Sequence, residues 1–140
     1  MNRKEAMLCL LASVNGEPFT STQLQKAMFL IDQEIGDIIE GNRYNFQPYD
    51  YGPFDKDVYA DIEKLEDEKL AMIFETARHM VYYPTPKGIV VGKDLLEELP
   101  KEIAEYIKKI AEYVLSRSFK ELVLEICQAY PEMGKNNIFN

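Results

Sequence analysis

The sequence predicts an α+β, mainly helical chain with a winged helix-turn-helix core, a short β-hairpin as the wing and a helical C-terminal extension. Three observations predict it. Apolar residues recur at helical spacing in three segments before residue 70, each bounded by turn signals. Two short β-like runs, AMIFETA and MVYYPT, follow between residues 71 and 85. Helical patterns then resume and continue to Tyr130-Pro131.

In the first segment Met7, Leu10, Leu11 and Val14 share one helical face, and Asn15-Gly16 ends it. The second opens on a capping box, Thr20 with Gln23 three residues later, and Phe19 and Leu24 stand at the two positions of a hydrophobic staple. Leu24, Ala27, Met28, Ile31 and Ile35 form its apolar face. Gly36 and Gly41-Asn42 mark the exit, and Tyr44 to Tyr49 alternates as a short extended segment. The stretch YDYGPF, residues 49–54, comes next. Pro53 keeps Gly52 extended or turning. With Asp55 as N-cap of a helix over 55–69, Phe54 and Tyr59 again have staple spacing. Val58, Ile62 and Leu65 supply that helix's buried stripe.

The two β-like runs join around Arg78-His79 and are followed by Pro86-Lys87-Gly88. Pro100 fits the first turn of a helix carrying Ile103, Tyr106, Ile107, Ile110 and Val114. Ser118 and Glu121 make another capping box, before Leu122, Val123, Ile126 and Tyr130. No repeat, low-complexity tract or linker divides the chain. The expectation is one domain over 1–140, with a core to residue 92, an extension over 93–131 and a tail from 132.

Composition narrows the function classes. Of 140 residues, 46% are hydrophobic and 29% charged, which is ordinary for a folded domain and unlike a disordered chain. The net charge of −8 repels nucleic acid and anionic lipid unless a local basic patch forms. No run approaches the roughly 20 apolar residues of a membrane span. Arg3 and Lys4 before an apolar run resemble a signal peptide, but Glu5 interrupts the basic region and no cleavage pattern follows. A cytoplasmic location is expected, with Cys9 and Cys127 as buried free thiols.

The segments TQLQKAMFLIDQE, YDYGPFDKDVYADIEKLEDEKL and YYPTPKG resemble the Panacea domain family, which includes SocA-like antitoxins and bacterial and phage proteins. Leu24 to Phe29 and Tyr51 to Phe54 match its leucine-lysine helix and its aromatic-Gly-Pro motif, and Tyr130-Pro131 resembles a late feature. The likeness spans most of residues 5–131. It implies a place in toxin–antitoxin or phage-conflict systems, with binding to another protein as the usual role.

The chemistry-bearing residues point the same way. His79 is the single histidine, and no C-x-x-C or H-x-x-x-H spacing exists, so no metal or cofactor is expected. Asp50, Asp55 and Asp57 lack the glycine and terminal glutamate of a calcium loop. No nucleophile–base motif or Gly-rich phosphate loop is present, and the chain reads as non-enzymatic. In a winged helix the last core helix reads DNA. Here that helix, residues 55–69, carries seven acids against Lys56, Lys64 and Lys69. Each acid would repel a phosphate, so nucleic acid is not the expected partner.

A protein partner is expected instead, through Tyr49 and Tyr51 of the aromatic stretch and Asp57, Asp61, Lys64 and Glu68 of the acidic helix. Tyrosines are enriched at interface hot spots. Gly52, Pro53, Phe54 and Asp55 form the motif that holds this surface. Asp61→Lys is expected to weaken binding without unfolding the domain. Two further roles stay open: self-association as a homodimer through the C-terminal helices, and docking or insertion by Ile138 and Phe139. The alternative function is a transcriptional regulator with a basic patch drawn from Arg3, Lys4, Lys26, Arg43 or Lys87.

Overall fold

A computed structural model describes residues 1–139. The fold is α+β and mainly helical, with two small antiparallel sheets. Helix α1 (Arg3–Ala12) begins with a capping box of its own, Asn2 with Glu5. Its second half is buried on every side, Ala6 through Ala12. Strand β1 (Phe19–Thr20) leads directly into α2 (Ser21–Ile35), where the expected box forms: Thr20 Oγ1 accepts from the Gln23 amide, and the Gln23 side chain accepts from the Thr20 amide. Phe19 and Leu24 are both fully buried. A single 3-10 turn, Gly36–Ile38, ends this helix.

Next come strands β2 (Gln47–Tyr49) and β3 (Gly52–Phe54), paired so that Tyr49 faces Gly52 and Gln47 faces Phe54. Of the extended segment expected over Tyr44 to Tyr49, Gln47–Tyr49 forms one arm of a hairpin turning at Asp50-Tyr51. Gly52 sits at φ +90°, a conformation that strongly favours glycine. Helix α3 spans Asp57–Asp67, shorter at each end than expected. Asp55 stands ahead of the helix rather than at the residue flanking it, which is Lys56. Its carboxylate still caps: Oδ1 accepts from the Asp57 amide at 2.8 Å and Oδ2 from the Asn45 amide at 2.7 Å. The staple spacing is realised, with the Phe54 and Tyr59 rings 5.8 Å apart.

Strands β4 (Ala71–Glu75) and β5 (Met80–Pro84) form the expected hairpin, and β1 adds to the far edge of β5 to give the order β1-β5-β4. Phe19 opposes Tyr82 and Ile73 opposes the same residue from the other side. Helix α4 (Pro86–Glu97) starts at Pro86-Lys87-Gly88: Thr85 caps it through the Gly88 amide, and Pro86 fills its first turn. The division expected at residue 92 falls inside this helix. Gly92 lies against Leu8 and Ala12 of α1, so α4 belongs to the core.

Helices α5 (Lys101–Ser116), α6 (Phe119–Ala129) and α7 (Pro131–Gly134) complete the chain. Pro100 precedes α5, and Ser118 with Glu121 caps α6 as expected. Ile107, Val114, Leu122 and Ile126 bury against α2, which becomes the central helix. That explains why α2 has buried polar residues, Gln25, Lys26 and Asp32, besides its apolar face. Among the described residues no helix is long and apolar enough to cross a membrane.

Candidate functional site

The β2–β3 hairpin displays the two tyrosines singled out in the sequence. Tyr49 is 55% exposed and Tyr51 45%. Their neighbours Tyr44 and Phe46 point inward, and Phe46 meets Phe29 edge-on at 5.3 Å. Tyr49 packs edge-on against Phe54 at 5.2 Å, while Tyr51 meets Phe119 at the start of α6 at 4.9 Å. Phe119 is itself exposed, and its ring lies 6.2 Å from that of Phe139.

The C-terminal residues return to this corner. The Ile138 amide donates to the Asp50 carbonyl at 3.0 Å, and Asn136 Nδ2 donates to the Pro48 carbonyl at 3.0 Å. Ile138 remains half exposed beside the turn. Of the two roles open for Ile138 and Phe139, docking back on the domain is the one seen. The result is an apolar surface of Tyr49, Tyr51, Phe119 and Ile138, drawn from three separate parts of the chain.

Behind the hairpin lies a cavity of about 380 Å³ between β3 and the first turns of α2. Tyr49, Tyr51, Phe54 and Tyr59 line it, with Gln25 and Lys26 from α2. Lys26 is 3% exposed, and its Nζ donates to the Pro53 carbonyl at 3.1 Å. Burial pulls its pKa down to about 8, with the Cys127 thiol acting weakly in the opposite sense. Gly52 makes this approach possible: a Cβ there would lie 3.2 Å from Cys127 Sγ and 3.7 Å from Lys26 Cε. The sequence offers Lys26 only as one cation of a basic patch, whereas the structure buries it against this cavity. A signal was available, because Lys26 is followed at i+3 and i+4 by Phe29 and Leu30, the mark of a helix buried nearly all round.

The acidic helix is a different matter. Asp61, expected on the partner-binding face, is 1% exposed and cannot touch a partner. Its carboxylate accepts from Tyr44 and lies 3.1 Å from Arg3 Nε. Asp61→Lys would therefore place a cation beside Arg3 inside the domain, which corrects the expectation that it spares the fold. Asp57 is within 3.6 Å of Arg3, Glu68 pairs with Lys4, and Glu66 accepts from the Ile73 amide at 3.0 Å. Lys64 is exposed, together with Glu63 and Asp67. Of the six expected partner-binding residues, the structure brings Tyr49 and Tyr51 together and leaves Lys64 open. Asp57 and Glu68 are occupied by intramolecular ion pairs.

Those pairs also consume the basic patch. Arg3 and Lys4 are bound to α3, Arg43 is held by Asp32 at 3.0 Å, and Lys26 is buried. Lys87 alone of the five is exposed and has no ion pair among the described residues.

For chemistry, burial raises the thiol pKa of both cysteines, that of Cys9 to about 12, which disfavours the reactive thiolate. His79 lies at the exposed β4–β5 turn, where its carbonyl accepts from Thr76 Oγ1 at 2.7 Å. Among the described residues no three His, Cys, Asp or Glu side chains are grouped to hold a metal ion.

No family model matches the chain, and no curated protein and no solved structure matches it.

Proposed function

We propose that this chain is a non-enzymatic protein-binding module, antitoxin-like or otherwise tied to phage conflict, built on a winged-helix scaffold. The scaffold reading is supported by the order α1, β1, α2, α3, β4, β5, into which the β2–β3 hairpin is inserted between α2 and α3, and by a first strand that pairs beside the last. The biological setting is supported by the likeness of YDYGPF and its flanking helices to the Panacea domain.

The observation that carries the binding reading is the exposed cluster of Tyr49, Tyr51, Phe119 and Ile138. Tyr51 and Phe119 touch edge-on and Tyr49 stands exposed on the same hairpin; exposed rings, two of them carrying a polar tip, are the composition of interface centres. The partner that fits has an apolar centre and a basic rim, because the chain carries a net charge of −8. Its action would be occlusion: the aromatic corner covers a functional surface of the partner and leaves it covalently unchanged.

Co-purification of the tagged chain with the products of neighbouring genes tests this. Retention of one such product, lost with Tyr51→Ala and Phe119→Ala, is the expected result. Failure to retain any of them overturns the proposal. The winged-helix order also suits a transcriptional regulator, but α3, the helix that would enter the major groove, is acidic, and four of the five candidate cations are engaged or buried.

A further inference from the structure

The cavity behind the hairpin has a composition that protein binding at the aromatic corner does not explain. Its volume of about 380 Å³ lies toward the small end of the range for small-molecule sites, roughly 300–1,000 Å³. Its polar side chains differ in what they have to offer. Gln25 is engaged at both ends of its amide, since Nε2 donates to the Asp55 carbonyl at 2.8 Å and Oε1 accepts from the Asp55 amide at 3.1 Å. The Ser21 hydroxyl is hydrogen-bonded to that of Tyr82 at 3.2 Å.

Lys26 is different. An ammonium has three hydrogens to donate, and the hydrogen bond that Nζ makes is to the Pro53 carbonyl. Among the described residues no carboxylate stands within ion-pair distance of it, although every other buried or half-buried cation near α3, Arg3 and Lys4, has one. Burying an ammonium without a counter-charge is costly. A fold that needed only a donor for one carbonyl would not require a charge there.

The other charged and titratable groups at the cavity are few. Asp50 is exposed at the mouth, where water screens it, and Tyr49, Tyr51, Tyr59 and the Cys127 thiol are the remaining ones.

We propose that this cavity binds a small organic carboxylate with a flat apolar body, its carboxylate on Lys26 Nζ and its body among the rings of Tyr49, Phe54 and Tyr59. The carboxylate supplies the counter-charge that Lys26 lacks, at a side chain only 3% exposed, where a charge-assisted hydrogen bond is strong. The rings offer the faces and edges that a planar group packs against. A free aromatic acid and the C-terminal residue of a peptide share this chemistry. The inference rests on the cavity and Lys26, and holds whichever protein the aromatic corner engages.

Phenylacetate is the probe, titrated into the whole chain and followed by calorimetry and by the NMR signals of Tyr59 and Lys26. Saturable binding is expected, with phenylacetamide, its uncharged counterpart, roughly tenfold weaker, about the worth of one charge-assisted hydrogen bond. Lys26→Met should bind neither ligand detectably while keeping the circular dichroism of the parent. At about pH 9 the wild-type chain should take up protons on binding phenylacetate, read as a dependence of the measured heat on the buffer, because pairing returns the charge to Lys26. That measurement needs no variant. A peptide ending in phenylalanine, with free or amidated C-terminus, separates the two sources: tighter binding of the free form than of phenylacetate assigns the site to a chain terminus, and weaker binding assigns it to a free acid. Equal affinity for phenylacetate and phenylacetamide, no proton uptake, or undiminished binding by a folded Lys26→Met overturns the proposal. So does the absence of saturable binding by phenylacetate and the free peptide alike.

Discussion

Tyr44 donates its phenolic hydrogen to Oδ2 of Asp61 across 2.5 Å, tying the segment before the aromatic hairpin to the middle of α3. Arg3 closes the arrangement from α1. Its Nη2 donates to Oδ1 at 3.2 Å, and its guanidinium lies 4.4 Å over the Tyr44 ring. Three elements thus meet on one buried carboxylate. Burial and the neighbouring carboxylate both push the Tyr44 pKa upward, so the phenol stays protonated and able to donate.

Removing that carboxylate leaves the Tyr44 hydroxyl without its acceptor and Arg3 with Asp57 as its remaining partner. Asp61→Ala should lower the unfolding free energy by about 3–5 kcal/mol, the cost of breaking a buried charge pair from one side. Tyr44→Phe leaves Arg3 and Asp61 paired and should cost about 1–3 kcal/mol. The double variant should lose less than the sum, because both changes remove the same bond. Urea denaturation of the four proteins measures this. Additive losses would mean that the two side chains stabilise the fold independently.

Two glycines set the seat of α4. A Cβ at Gly88 would overlap the Leu70 carbonyl oxygen, and one at Gly92 would lie 2.5 Å from Ala12 Cβ and 2.8 Å from the Leu8 carbonyl oxygen. Alanine would gain about 1 kcal/mol of helix propensity at either position. Crowding fixed backbone should outweigh that, with Gly92→Ala net destabilising by about 1–3 kcal/mol and Gly88→Ala by at least as much. Thermal unfolding should show both below the parent. A raised Tm for Gly92→Ala would show that α1 and α4 can move apart freely.

Local signals were legible and distant ones were not. The boxes at Thr20 and Ser118, the Phe54–Tyr59 staple and the β4–β5 hairpin each involve residues a few positions apart, so side-chain chemistry alone predicts them. Strand β1 has only two residues and exists because Tyr82 and Val81 lie beside it, more than 60 positions away. Asp61 looks like its neighbours in an acidic run. Its burial depends on Arg3 and Tyr44, which no helical periodicity can bring into view. The site shows the same divide. Tyr49 and Tyr51 stood out because local structure needed neither ring, whereas Phe119 and Ile138 join them through the return of the C-terminal segment. Lys26 needed the same knowledge, since its environment is made by Pro53 and Cys127.

The aromatic corner should separate binding from stability. Tyr51 and Phe119 meet edge-on while both remain exposed, a contact worth about 0.5–1.5 kcal/mol to the fold. Alanine at either position should therefore shift the urea midpoint only slightly. In a complex covered at this corner, the same truncations should each cost about 2 kcal/mol or more of binding free energy. Surface plasmon resonance against the co-purified partner provides the comparison. A loss of binding matched by an equal loss of stability would place these rings in the core instead.

Lys26 makes the stability of the domain depend on pH in a definite sense. Its folded pKa, about 8, lies below the ordinary lysine value of 10.5 because burial disfavours the charged form. Below pH 8 the lysine is charged in both states and the folded state bears the full penalty. Between pH 8 and 10.5 the unfolded chain binds more protons than the folded one, so this residue's contribution to stability rises with pH, by about 3 kcal/mol in all. Cys9 works against it from pH 9 upward, since a folded pKa near 12 keeps its proton on while the unfolded thiol releases it. A comparison with Lys26→Met removes that opposing contribution, which both proteins share. Methionine fills the same space but leaves the Pro53 carbonyl without its donor, at a cost of about 1–3 kcal/mol that does not change with pH. Relative to wild type, the variant should therefore be most favoured near pH 7 and lose about 3 kcal/mol of that relative standing by pH 10.5. Paired urea titrations at several pH values read this difference directly. A constant difference would mean that Lys26 keeps an ordinary pKa and that water reaches its ammonium.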